Sequence, residues 1–146
     1  MAVLKSRLVP SKGMSVEVLT KHFLAFGQEI LDEYGSISAA YCDSAEQTII
    51  NTFRQAAPWP VMNYIKGKII DRIRFTELVM TAGYLEYADG ACDSLVTAWS
   101  ECIWDPDEPG EWVRLDNGTT DIDSNDAWEY SVERFIPAII QEIEGA

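Results

Sequence analysis

Two groups of carboxylates in this chain could do chemistry, and one knot of basic residues could serve them. Asp43 follows the small-to-apolar stretch 36–42 and precedes a predicted helix start. In open α/β sheets the functional crevice lies at the carboxyl ends of the strands, so an acid there can hold a divalent ion. Asp121, Asp123 and Asp126 form the second group, in the stretch TTDIDSNDAWEY. Asp123 and Asp126 are three residues apart around a helix start and can face the same side. Magnesium takes few protein carboxylates and keeps several waters. Two such ions about 4 Å apart activate a water and stabilise the leaving oxygen in phosphodiester cleavage. Plainer readings stand beside both groups. Asp43 would also serve as a helix cap, and acids gather at helix N-termini because the dipole favours them. Lys66, Lys68, Arg72 and Arg74 crowd together in a chain with only eleven Lys and Arg. That concentration suggests a phosphate contact, with a solvated helix face as the alternative. Glu101, Glu108 and Glu111 read as solvated charge, and His22 as a surface or boundary residue.

These residues must be held by a domain of ordinary size. The chain has 146 residues, 47% of them apolar, which suffices for one core. Five Trp, six Tyr and five Phe argue against disorder. No run reaches the roughly 18 uninterrupted apolar residues of a membrane helix, and residues 1–10 lack the apolar run and cleavage site of a signal peptide. The three cysteines, Cys42, Cys92 and Cys102, show no CxxC spacing, so the expectation is a reduced, cytosolic protein with buried thiols. A single histidine makes a structural zinc site a poor fit. The net charge of −13 argues against nucleic acid by itself. Carboxylate clusters built for magnesium account for part of that charge.

Apolar spacing predicts the elements. Residues 1–10 are β-compatible and end in the turn Pro10-Ser11-Lys12-Gly13. Ser15 caps a helix whose apolar face carries Val16, Leu19, Phe23, Phe26 and Ile30, and Gly35 ends it. A buried strand over 36–42 follows. Ser44 and Gln47 form a capping box for a helix with Ile49, Ile50, Phe53 and Ala57 inward. A strand over 61–65 leads through Lys66-Gly67-Lys68 into a third helix, closed by Gly83. A strand over 84–88, a helix bearing Leu95, Trp99 and Ile103, a long loop or hairpin over 105–121, and a last helix from near Ser124, kinked at Pro137, complete the chain. Alternation of this kind predicts a single α/β domain over 1–146 with parallel later strands. Phe23, Ile30, Ile49, Phe53, Ile73 and Trp99 are the expected inward positions.

Three blocks resemble the nuclease domain of phage terminase large subunits. They are Tyr41-Cys42-Asp43-Ser44-Ala45-Glu46, similar to the family's strand ending in Asp-Ser-Ala-Glu; Lys66-Gly67-Lys68 through Phe75, similar to its lysine–glycine turn and helix; and Trp104-Asp105, Val113 to Gly118 and Asp121 to Ser131, similar to its closing block. Order and spacing agree over about residues 14–136. The resemblance implies a ribonuclease-H-like fold with a mixed central sheet flanked by helices. It implies cleavage of double-stranded DNA during genome packaging, with Mg²⁺ or Mn²⁺. By position, Asp43 and Asp126 would be metal carboxylates with Asp123 close by, Glu46 and Asp121 standing behind them; Lys66, Lys68 and Arg72 would contact DNA. The partners implied are the terminase ATPase domain or small subunit, in the cytoplasm of a host bacterium.

The chain departs from that pattern at its start. The family's first strand brings the first metal Asp, whereas residues 1–14 here contain no acid, and no GxxxxGK[ST] loop occurs. The expectation is therefore an N-terminally incomplete domain, a fragment or a decayed copy, with a weak metal site and little or no activity alone. The alternative is a non-catalytic remnant or accessory protein acting through protein contacts, including a homodimer through an exposed sheet edge. An acidic mimic of DNA is a third class, and the basic cluster at 66–74 argues against it.

Overall fold

The computed structural model describes residues 1–43, 45–65, 67–108, 113–115 and 122–145. Ser44, Lys66 and Asp121 lie outside them, as does much of the predicted loop 105–121. In chain order the elements are β1 (Ala2–Val3), α1 (Val16–Tyr34), β2 (Ala40–Cys42), α2 (Gln47–Ala56), β3 (Val61–Asn63), α3 (Ile69–Thr81), β4 (Glu86–Tyr87), α4 (Asp93–Glu101), α5 (Ile122–Val132), a 3-10 turn (Glu133–Phe135) and α6 (Ile136–Glu144). They form two compact units, Val9–Tyr64 and Met1–Leu8 with Ile65–Ala146. No helix among the described residues is long and apolar enough to cross a membrane.

The unit Val9–Tyr64 is a strand–helix–strand unit with one long helix added. Ser15 opens α1 by accepting the Val18 N–H at 3.4 Å, and Gly35 ends it at φ 83°, where a side chain would be strained. β2 and β3 pair in parallel, Tyr41 opposite Met62, with α2 as the crossover. Arg54 ties that helix to β3, donating from Nε to the Val61 carbonyl at 3.0 Å and from Nη2 to Asn63 Oδ1 at 3.1 Å. The core is Ile50, Trp59 and Val61, with Phe23, Leu24, Leu31 and Phe53 packed on it. Each large apolar side chain fully buried there stabilises by about 1.5–3 kcal/mol. Phe23 stacks on Phe53 at 4.2 Å and meets the edge of Trp59 at 5.7 Å. Gly27 is buried in α1 because the Trp59 indole occupies the place of its missing Cβ.

The second unit joins both ends of the chain. β1 pairs in parallel with β4, Ala2 opposite Glu86 and Val3 opposite Tyr87, and the Met1 ammonium donates to the Tyr84 carbonyl at 2.8 Å. Its core is Phe75, Val79, Leu95, Trp128 and Val132, and Trp99 meets Trp128 edge-on at 5.8 Å. Trp104 and Arg114 form an antiparallel bridge, and the Asp105 N–H donates to the Val113 carbonyl at 2.9 Å, so residues 103–105 and 113–115 run side by side.

The α/β class and the parallel pairing agree with the sequence pattern. Several details differ. Among the described residues there are two separate two-stranded parallel sheets and no single mixed sheet. The Asp43 carboxylate accepts the Ala45 N–H at 3.1 Å, and α2 begins at Gln47 with Glu46 at its N-cap and no side-chain cap; Ser44 of the predicted capping box lies outside the described residues. Pro137 falls in the first turn of a new helix after the 3-10 turn, where its missing N–H costs nothing, so the last predicted helix is two helices. Phe23, Ile30, Ile49, Phe53, Ile73 and Trp99 are half-buried. Two small cores over short sheets cannot enclose them, and the deepest apolar positions are Val79, Ala98, Cys92, Ile50 and Leu95.

Candidate functional site

The charged residues of the second unit converge on α5. Apolar Trp128 and Val132 fix that helix in the core, and the 3.6-residue period then turns Asn125 and Glu129 inward with them. Glu129 is 2% exposed. A carboxylate this deep must be paired, and two guanidiniums pair it. Arg114 Nη1 donates to Glu129 Oε2 at 3.0 Å, and its Nη2 donates to Oε1 to complete a forked pair. Arg72, one turn into α3, brings Nη1 to 2.8 Å from Oε2. Asn125 Nδ2 adds a donor to Oε1 at 3.2 Å. Arg72 also lies over the ring of Tyr130 at 5.8 Å.

Asp126 sits at the edge of the same network, its side chain 28% exposed. Oδ1 accepts from Arg114 Nη1 at 2.6 Å, and Oδ2 accepts from the Tyr130 hydroxyl at 3.3 Å. Burial pushes the Asp126 carboxyl up and Glu129 adds to the push, against the pull of Arg114, Arg72 and the Tyr130 hydroxyl. Arg114 is shared between two acids, so its pull on Asp126 does not win. For Arg114, burial pulls down, but the bond to Glu129 and the acids around it outweigh that, and its net shift is upward. One turn further on, Glu133 is buried and accepts the Gly67 N–H through Oε1, while burial pushes its carboxyl up. Arg114, Asn125 and Glu129 line an open cavity of about 410 Å³ whose walls include Trp99, Ile103 and Trp104.

The other residues singled out by sequence lie differently. Asp123 is exposed in the first turn of α5. Asp43 is exposed directly after the carboxyl end of β2, in the other unit. Glu46 is exposed beside α2. Lys68 is exposed at the head of α3, whereas Arg72 is 5% exposed. Arg72 therefore faces inward to Glu129 instead of outward to a phosphate, because the same helix turn that buries Phe75 and Val79 buries its stem. Lys66 and Asp121 lie outside the described residues.

The donor set around Asp126 does not fit a divalent ion as it stands. Both carboxylate oxygens already have partners, one of them a cation. Among the described residues no group of three or more His, Cys, Asp or Glu is arranged to hold a metal. The sequence reading missed Glu129, Glu133 and Arg114. A signal for Arg114 was present: it is the sole basic residue between Arg74 and Arg134. So isolated a cation among acids is a candidate for a buried partner. Comparison with protein-family models, with curated proteins and with solved structures finds no match.

Proposed function

We propose that this chain is a nuclease-type domain of the kind that cuts DNA in phage terminase large subunits, ribonuclease-H-like, with an incomplete metal site. The observation that carries the reading is the position of Asp43. It is exposed just past the carboxyl end of a parallel strand, in the connection from β2 to α2, where open α/β sheets offer ligands a crevice. The three sequence blocks around Asp43, Lys66 to Phe75, and Asp121 to Ser131 support it further. In this reading Asp43 is the principal carboxylate for Mg²⁺ or Mn²⁺, hard ions that choose oxygen. Asp126 and Asp123 stand at the other acidic positions of the sequence resemblance, and Asp126 is already taken by Arg114. Lys66 and Lys68 contact double-stranded DNA, and Arg72 serves the fold. In this reading the partners are the ATPase domain or small subunit of the packaging machine.

A second reading is a non-catalytic remnant or accessory chain that keeps the fold and works through protein contacts. The commitment of Asp126 to Arg114 favours it. Calorimetry with Mn²⁺ on the wild type and on Asp43→Asn separates the two. The nuclease reading expects weak binding that Asp43→Asn removes. Binding that survives the substitution, or no binding by the wild type at millimolar metal, overturns it.

A further inference from the structure

We infer that the guanidinium of Arg114 is the resident counter-cation of Asp126 and excludes a divalent metal from that carboxylate. The inference rests on the nuclease-type reading for its choice of ion and goes beyond it by naming the residue that closes the site. Arg114 is 6% exposed and cannot leave without stranding charge. It engages Glu129 through both terminal nitrogens and Asp126 through Nη1 at 2.6 Å. Two guanidiniums, Arg72 and Arg114, face the two carboxylates Glu129 and Asp126, so this cluster is neutral without any metal. Glu133, next to it, has its own donor in the Gly67 N–H.

A metal ion binding the remaining face of Asp126 would sit about 2.1 Å from its oxygen. That puts it within a few ångströms of the Arg114 charge, in a region where water screens little. Like charges at that separation repel strongly. The Tyr130 hydroxyl, bonded to Oδ2, would also have to turn away. Metal therefore competes with Arg114 for Asp126, and Arg114 is held in place by the deeper pair with Glu129.

The test is Mn²⁺ titration by calorimetry on four proteins: wild type, Asp126→Asn, Arg114→Met with Glu129→Gln, and that double variant with Asp126→Asn added. Removing Arg114 and the Glu129 charge together avoids leaving a buried acid with half its partners; circular dichroism checks that the fold is kept. The double variant is expected to gain Mn²⁺ affinity by about tenfold or more, the scale on which groups around a metal ligand act. Adding Asp126→Asn is expected to abolish the gain. In the wild type, Asp126→Asn is expected to leave Mn²⁺ binding unchanged, a comparison that needs no change at Arg114. Loss of wild-type binding in Asp126→Asn overturns the inference, and so does a folded double variant with no gain. Either result leaves the Asp43→Asn comparison to decide the functional reading separately.

Discussion

The main-chain N–H of Gly67 donates to the carboxylate of Glu133, 66 residues further along the chain. A Cβ at Gly67 would collide with the same oxygen. Gly67→Ala is therefore expected to displace the carboxylate, the end of a flexible side chain, and to cost at most about 1.5–3 kcal/mol, the value of a hydrogen bond to a charged group. Gly27→Ala is expected to destabilise as well. Alanine gains about 1 kcal/mol of helix propensity there, but its Cβ would meet the Trp59 indole, a buried rigid ring, and overpacking of that kind costs about 1–3 kcal/mol or more. Urea midpoints followed by tryptophan fluorescence check both losses; a stabilised Gly27→Ala would refute the second.

How far such contacts could be read from sequence depends on their range. The start of α1 at Ser15 and its end at Gly35 were legible, because capping and positive φ are local. The inward faces were legible in part: Ile50 and Val79, both expected inward, are buried, while Ile49 and Ile73 are only half-buried and Phe75 is buried beside Val79 instead. The exposure of Asp43 followed from its place at a strand end. The inward turn of Arg72 did not, since its partner Glu129 lies in a distant element and leaves no mark near residue 72. Long-range ion pairs have no period for a reader to detect.

Glu129→Ala should be among the most damaging single substitutions. It leaves Arg72 and Arg114 buried without their shared acid, and stranded buried charge costs about 3–5 kcal/mol. Glu129→Gln keeps the shape and some hydrogen bonds and should cost less. Thermal unfolding of both variants checks this; a loss below about 1 kcal/mol for Glu129→Ala would mean the arginines reach water easily.

Stability should fall as the pH rises out of the acid range. Asp126 and Glu133 are both held above the ordinary carboxyl range in the folded chain, chiefly by burial. They bind protons more tightly folded than unfolded, so their contribution is full below the ordinary value of about 4. It is lost as the pH climbs through the raised folded values. Urea midpoints across pH 4–7 should show Asp126→Asn with Glu133→Gln gaining on the wild type as the pH rises. Parallel curves would place the titrating groups elsewhere.

Plasmid nicking by this chain alone should be slight even in excess Mn²⁺. In-line cleavage uses one ion on the attacking water and one on the leaving oxygen. Residues 1–14 carry no acid, and the net charge of −13 weakens capture of a phosphate backbone. Fast cutting that Asp126→Ala abolishes would show instead that Asp126 is available to metal.

The parallel pairing of β1 with β4 also sets an order of assembly during synthesis. Residues 9–64 form one continuous unit whose two strands are joined by a single helix, so it can close as soon as it is made. The strand at residues 2–3 is made earlier but belongs to the other unit, and among the described residues it pairs with residues 86–87. Closing so long a loop costs chain entropy that later contacts must repay. Until Tyr87 has left the ribosome, the strand at residues 2–3 lacks the partner it has in the folded unit.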